Sequence, residues 1–331
     1  MNILVTGACG FIGSHVVEKL VLKGHKVSAF TFYNSRGSNG WLDNLDKKIL
    51  KELNIISGDI RDHDFLVNNT KKKDAILHLA ALIGIPYSYH APKSYIETNI
   101  IGTYNILNAS KINNVQKTII TSTSEVYGTA QKVPISEIHP LNAQSPYAAS
   151  KIGADQLALS FHRSFKLPVS IIRPFNTFGP RQSTRAIIPT IITQILNNNM
   201  SIKLGNLSPT RDFTYVEDTA DSFVQALKSN KINGETINIG NNFEISIKNI
   251  IEIMKNDFGY NFKVVLDKKR VREKKSEVFR LITSNDKAKK LIHWKPKYEG
   301  IKGFKLGLKK TIEWFKDPKN LKDYNSNSYK I

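Results

Sequence analysis

A chain of 331 residues with 40% hydrophobic and 23% charged content has the make-up of an ordinary folded protein with room for two lobes, not of a disordered or fibrous one. No run approaches the ~20 apolar residues that span a bilayer, and turn chemistry follows Met1 too soon for a signal peptide, so a cytoplasmic protein with no membrane partner is expected. The single cysteine, Cys9, cannot form an internal disulfide, and the formal charge of +20 is scattered in short runs such as 71–73 and 268–270 without a nucleic-acid-binding pattern, so no nucleic acid partner is expected either.

Short apolar runs at 3–5, 26–30, 54–57, 75–79, 118–121 and 169–172 read as buried parallel strands, being too short for helices and mostly rich in β-branched residues. Helical patterns lie between them, for example at 14–23 and 95–111. Strand alternating with helix predicts an α/β fold with a doubly wound parallel Rossmann sheet. After Arg173-Pro174 the texture changes: Pro, Gly, Asn and Thr cluster over 174–189, which predicts a long functional loop or domain crossing. A helix at 187–196, a strand at 236–240 and a helix-rich end follow, and the polar tail 318–331 is expected to pack loosely.

Gly7-Ala8-Cys9-Gly10-Phe11-Ile12-Gly13 follows the first strand and opens a helix. That placement gives a tight turn, backbone bare enough for a pyrophosphate, and free helix N-terminal amides aimed at the anion. The predicted division is therefore a dinucleotide-binding Rossmann domain over 1–175, to which 212–242 returns, and a smaller substrate-binding lobe over 176–331. An NAD site wants a carboxylate at the end of the second strand, where this chain has Thr31 with Arg36 close by. The cofactor reading, a tightly bound NAD(P), thus leans towards NADP. Asp59, followed by Ile60, is placed either to meet the adenine edge or to cap a helix.

Ser145 is a good N-cap and Pro146 suits the first helical position, so a helix starts there and puts Tyr147 and Lys151 on one face. An ammonium ~4 Å from the phenol at an effective dielectric of ~20 is worth roughly 4 kcal/mol, or about three pKa units, which brings a phenolate near neutrality. The eight histidines show no close metal-ligand spacing, so no metal is expected.

Together with the glycine loop, the segments 78–81 (with Ala80 and Ala81), Asn99, 122–128, 147–151, 173–176 and 211–218 make the chain resemble the extended short-chain dehydrogenases/reductases that act on nucleotide sugars, nearly end to end. The resemblance implies that Thr123 shares the proton of a sugar 4-hydroxyl with Tyr147, and that Glu125 removes the C5 proton once C4 is a ketone. Ser124 stands where many sugar dehydratases carry an aspartic acid that protonates the leaving hydroxyl, so Glu125 is expected to return its own proton to the C6 oxygen. The segments 32–35, 41–43, 85–90 (with Tyr87) and 128–131 resemble the legionaminic acid pathway dehydratases, which implies a UDP- or GDP-linked N-acetylglucosamine 4,6-dehydratase. Arg211 and Arg272 resemble diphosphate-binding arginines and Asn176 a ligand-contacting asparagine, with Arg185 and Glu277 as further candidates; Arg272 also reads as part of a solvated charged turn. A glucuronate decarboxylase, a 4-epimerase and a non-catalytic dinucleotide-binding scaffold are the alternatives. A homodimer through the helices from Tyr95 and Tyr147 is what the family implies.

Overall fold

A computed structural model describes residues 1–322 and Tyr324. The strands in chain order are β1 (Asn2–Thr6), β2 (Lys26–Phe32), β3 (Leu53–Gly58), β4 (Ala75–His78), β5 (Lys117–Thr121), β6 (Val169–Pro174), β7 (Asn176–Phe178), β8 (Ser201–Leu204), β9 (Thr210–Tyr215), β10 (Thr236–Ile239), β11 (Glu244–Ser246) and β12 (Lys263–Leu266). Seven of them form one parallel sheet in the order β10-β6-β5-β4-β1-β2-β3. The order reverses at β1, which lies between β2 and β4, and this opens a crevice beyond the carboxyl ends of the strands.

Alternation along each strand explains the unbroken apolar runs. Ile3 and Val5 face one core with Val16, Val17 and Leu20 of helix α1 (Phe11–Leu22), whereas Leu4 faces the other with Ile106 and Leu107 of α2 (Gly102–Ile112) and Phe161 of α3 (Pro146–Phe165). Both faces are covered, so neither can carry polar residues. Phe223, Val224 and Leu227 of the helix Val216–Lys228, together with Ile237, Ile239 and Trp294, join the α1 side.

A separate core gathers Phe178, Phe213, Ile191, Ile250, Phe304 and Leu308 around two small sheets, β11-β9-β7 and β12-β8. The expected loop at 174–189 therefore contains a strand, β7, which leaves the main sheet to pair with β9. The expected helix at 95–111 is a helix of two windings: a π turn over Ile96–Ile101 precedes α2. The tail differs as well. Residues 318–321 form a helical turn, and Tyr324 packs on the second core and stacks on Trp41 at 5.9 Å. The remainder of the expected loose tail, residues 323 and 325–331, lies outside the described residues.

Candidate active site

One cleft of about 1380 Å³ runs across the carboxyl ends of the sheet between the two cores. Single-ligand pockets occupy about 300–1,000 Å³, so this one has room for two ligands end to end.

Its floor is the glycine turn. Gly7 has φ +67°, and a Cβ there would lie 2.6 Å from the Ala80 amide nitrogen. A Cβ on Gly13 would fall inside the Gly7 carbonyl oxygen. Gly10 is the N-cap of α1 with no side chain to satisfy the first amides, so those donors stay available to an anion. Gly13→Ala is therefore expected to displace the turn and weaken dinucleotide binding at least about tenfold, by roughly 1.4 kcal/mol; fluorescence titration with NAD measures it. Cys9 packs against Gly40 behind the turn, and the Trp41 amide donates to the Cys9 carbonyl at 3.0 Å. That contact brings the 3₁₀ turn Gly40–Asn44, with Trp41 and Asp43, to the wall beside the glycine turn.

Two residues expected at the adenosine end are not there. Thr31 is buried within β2, its hydroxyl directed at the Ile56 carbonyl at 3.5 Å, and neither it nor Arg36 lines the cleft. The strand's alternation turns residue 31 into the core, and Arg36 sits on an exposed loop. Arg36, the cation behind the NADP lean, is thus missing from the wall, where Asp43, Asp59 and Arg61 stand instead. Asp59 is held by Arg61 through a two-point contact at 3.0 and 2.6 Å, which keeps its carboxyl below the ordinary range. It is not a helix cap; Asp62 takes that place, accepting from the Phe65 amide at 3.0 Å.

Ile60, Ala80, Ala81, Phe11 and Ile12 line the same end. Asn99 does not. It is buried, and its amide ties Leu82 (2.8 Å to N, 2.9 Å to O) to the Ser150 hydroxyl (2.9 Å), which holds the cleft wall from behind. His78 is likewise a scaffold residue: it bonds Thr6 and Thr103, and burial lowers its pKa to about 3.

At mid-cleft, Ser145 caps α3 through the Ala148 amide at 3.1 Å with Pro146 in the first turn, and Tyr147 and Lys151 both face inward. Thr123 and Glu125 face them from the turn after β5. Ser124 is buried and does not line the cleft, so it has no access to a leaving group there.

The expected ammonium–phenol contact takes another form. Lys151 Nζ donates to the Thr121 carbonyl at 2.6 Å, and the groups acting on Tyr147 are Thr123, Glu125, Tyr95 and Asp155 rather than Lys151. Burial pushes the Tyr147 phenol well above its ordinary range; the Thr123 hydrogen bond opposes this, and the nearby acids and Tyr95 reinforce it. Burial also lowers Lys151, to about 8. The shared helix face is real, but a lysine stem is long enough to reach back to the strand.

Beyond the tyrosine, Tyr87, Arg185 and Asn176 line the cleft, and then Arg211, Arg272 and Glu277. Arg211 lies 3.4 Å from Glu277, whose carboxylate is 3.8 Å from Arg272 Nη1. Burial lowers the Arg211 pKa, and Glu125 and Glu277 oppose that. Arg272 is thus a wall residue and not a solvated turn. Asn176 Oδ1, Gln182 Oε1 and Arg272 Nη1 are buried without a hydrogen-bond partner among the described residues. Buried polar atoms of this kind call for a ligand, and together with the bare glycine turn they fit a dinucleotide at one end and a phosphorylated ligand at the other.

Fold and cleft together define a Rossmann-type short-chain dehydrogenase/reductase. The human dTDP-D-glucose 4,6-dehydratase is 32% identical over 96% of this chain and 90% of its own. Among solved structures, Pal from Bacillus thuringiensis is 34% identical with a TM-score of 0.81, covering 96% of this chain and 99% of its own. The UDP-glucuronic acid 4-epimerase from Bacillus cereus, solved with UDP-glucuronic acid and NAD, is 30% identical with a TM-score of 0.84 over 96% and 99%. The profile of the GDP-mannose 4,6 dehydratase family matches residues 4–306, and the chain belongs to that family of nucleotide-sugar dehydratases and epimerases.

Proposed function

We propose that this protein is a nucleotide-sugar 4,6-dehydratase that converts a UDP- or GDP-linked N-acetylglucosamine to its 4-keto-6-deoxy product. The observation that carries this reading is Glu125, a carboxylate on the cleft wall electrostatically close to both Tyr147 and Arg211. An epimerase needs no such base; an elimination does. A nicotinamide dinucleotide held by the glycine turn would supply the hydride acceptor for C4, the hydride donor for C6 and a positive charge beside Tyr147.

Tyr147, relayed by Thr123, takes the C4 hydroxyl proton. The new ketone acidifies C5, and Glu125 removes that proton. The C6 hydroxyl leaves with the proton Glu125 has just gained, because Ser124 stands outside the cleft. Arg211 and Arg272 hold the diphosphate, and Asn176, Tyr87 and Arg185 border the sugar.

The glycine turn would hold the cofactor, and the Asp43 carboxylate at the adenosine end, where Arg61 already pairs with Asp59, favours NAD over NADP. The sugar-side segments shared with legionaminic acid pathway dehydratases support N-acetylglucosamine. Exposed Ile96, Ile101, Tyr104 and Phe165, on the helices expected to pair, support a homodimer.

Mass spectrometry of products from UDP-N-acetylglucosamine, GDP-N-acetylglucosamine and UDP-glucuronate tests the reaction. Loss of one water from an N-acetylglucosamine is expected. Loss of carbon dioxide from the glucuronate would make it a decarboxylase, an unchanged mass with C4 inverted in the proton NMR spectrum an epimerase, and no turnover a scaffold. Arg272→Ala is expected to raise KM about 10- to 100-fold with kcat nearly unchanged, since a charge-assisted hydrogen bond is worth about 1.5–3 kcal/mol and acts equally before and during reaction.

A further inference from the structure

Three consecutive residues at the end of β5 meet three residues spaced four apart on α3. Thr123 acts on Tyr147, the Thr121 carbonyl accepts from Lys151 at 2.6 Å, and the Ser122 hydroxyl donates to Asp155 Oδ2 at 2.6 Å. Positions 147, 151 and 155 share one helix face, so the acid continues the line of the reactive pair into the core.

Asp155 is fully buried. Its Oδ2 also accepts from Arg173 Nη2 at 2.7 Å, whose Nη1 donates to the Tyr127 hydroxyl at 2.6 Å, and Tyr127 donates to Asn238 Oδ1 at 2.8 Å. The Asn238 backbone amide donates to Glu137 at 2.8 Å; Tyr147 on the same helix face and His78 of β4, both uncharged, are further titratable groups near Lys151. Asp155 Oδ1 has no hydrogen-bond partner among the described residues. A buried carboxylate with one oxygen accepting two hydrogen bonds and the other none is expensive to keep, and Lys151 lies one helical turn back along α3.

We infer that Asp155 is a positioning residue for the hydride step, a buried carboxylate that keeps the Lys151 ammonium charged and holds α3 in register with β5. The inference rests on the proposed redox chemistry at Tyr147 and Lys151. Burial drives Lys151 towards its neutral form, and Asp155 is the group that opposes this. Arg173 completes the arrangement by pinning the carboxylate from β6, and it is not among the charges acting on Lys151.

Two readouts test it. The first needs no substrate. Lys151 sits at about 8 in the fold against 10.5 for a free lysine, so the unfolded chain holds more protons across that window and stability rises with pH through it. Lys151→Met is expected to remove the share of that rise that Lys151 contributes, while Lys73 and Lys117, also lowered by burial, keep theirs. In Asp155→Asn the rise is expected to begin about one to two pH units lower, from the loss of a unit charge one turn away. The second readout is the pH profile of cofactor reduction by the reactive nucleotide sugar. Its alkaline limb moves down by the same amount in Asp155→Asn and stays in place in Asp155→Glu, which keeps the charge.

Where Asp155→Asn leaves Arg173 unpaired and does not fold, Asp155→Asn with Arg173→Met carries the same readouts. A rise that Lys151→Met leaves undiminished, or a Lys151 share that loss of the Asp155 charge leaves in place, overturns the inference. A panel without a reactive sugar overturns the proposed function instead, and the stability readout still decides the role of Asp155.

Discussion

Tyr147→Phe is expected to lower cofactor reduction by about 1,000-fold, within the range set by removing a general acid–base, while NAD affinity and fold are retained. The substitution removes one oxygen from a residue packed edge-on against Tyr95 at 6.2 Å, so the ring keeps its place. What is lost is the group proposed to carry the C4 hydroxyl proton. The protein without ligand holds this phenol protonated, because burial dominates and Glu125, Tyr95 and Asp155 add to it. On the proposed mechanism, activation waits for a cation at the ring, and the tyrosine would act as a base only in the loaded cleft. A single-turnover measurement of bound reduced cofactor reads the step directly. Wild-type reduction in the phenylalanine variant would assign the proton to another group.

Glu125→Gln separates the two halves of the reaction. Cofactor reduction is expected to persist, while loss of water falls by about 100- to 10,000-fold, the span typical of a missing general base. Mass spectrometry and nicotinamide absorbance on the same sample check both. A second consequence has a definite sign. The Glu125 carboxylate disfavours the neighbouring phenolate, so neutral glutamine lets Tyr147 ionise at lower pH and the acid limb of cofactor reduction moves down. Arg211 moves the opposite way in charge balance, losing a carboxylate that favours its charged form. An amide variant that still released water at the wild-type rate would leave the elimination without its base.

Much of this was legible in the chain itself. The glycine turn, the Ser145-Pro146 helix start and the β-branched runs each encode their structure locally, through backbone freedom, capping and side-chain alternation. Misreadings came where a residue's surroundings are assembled from afar. Thr31 and Arg36 were close to the right place along the chain, but strand alternation buried one and left the other on an exposed loop. Asp43 reached the wall because the 40–44 turn docks on Cys9, a contact no spacing rule contains. Asp155 was the one omission with a visible signal: an acid on the buried face of a helix, continuing the four-residue interval from Tyr147.

The sequence alone determined the class of fold, the glycine-turn floor and the shared face of Tyr147 and Lys151, because each follows from interactions within a few residues. Tertiary structure alone decided where the lysine points, which side chains reach the cleft, and how the phenol is charged. Those depend on burial and on carbonyls, carboxylates and guanidinium groups brought together from strands far apart in the chain, and electrostatics in a buried site is set by such neighbours rather than by the residue's own chemistry.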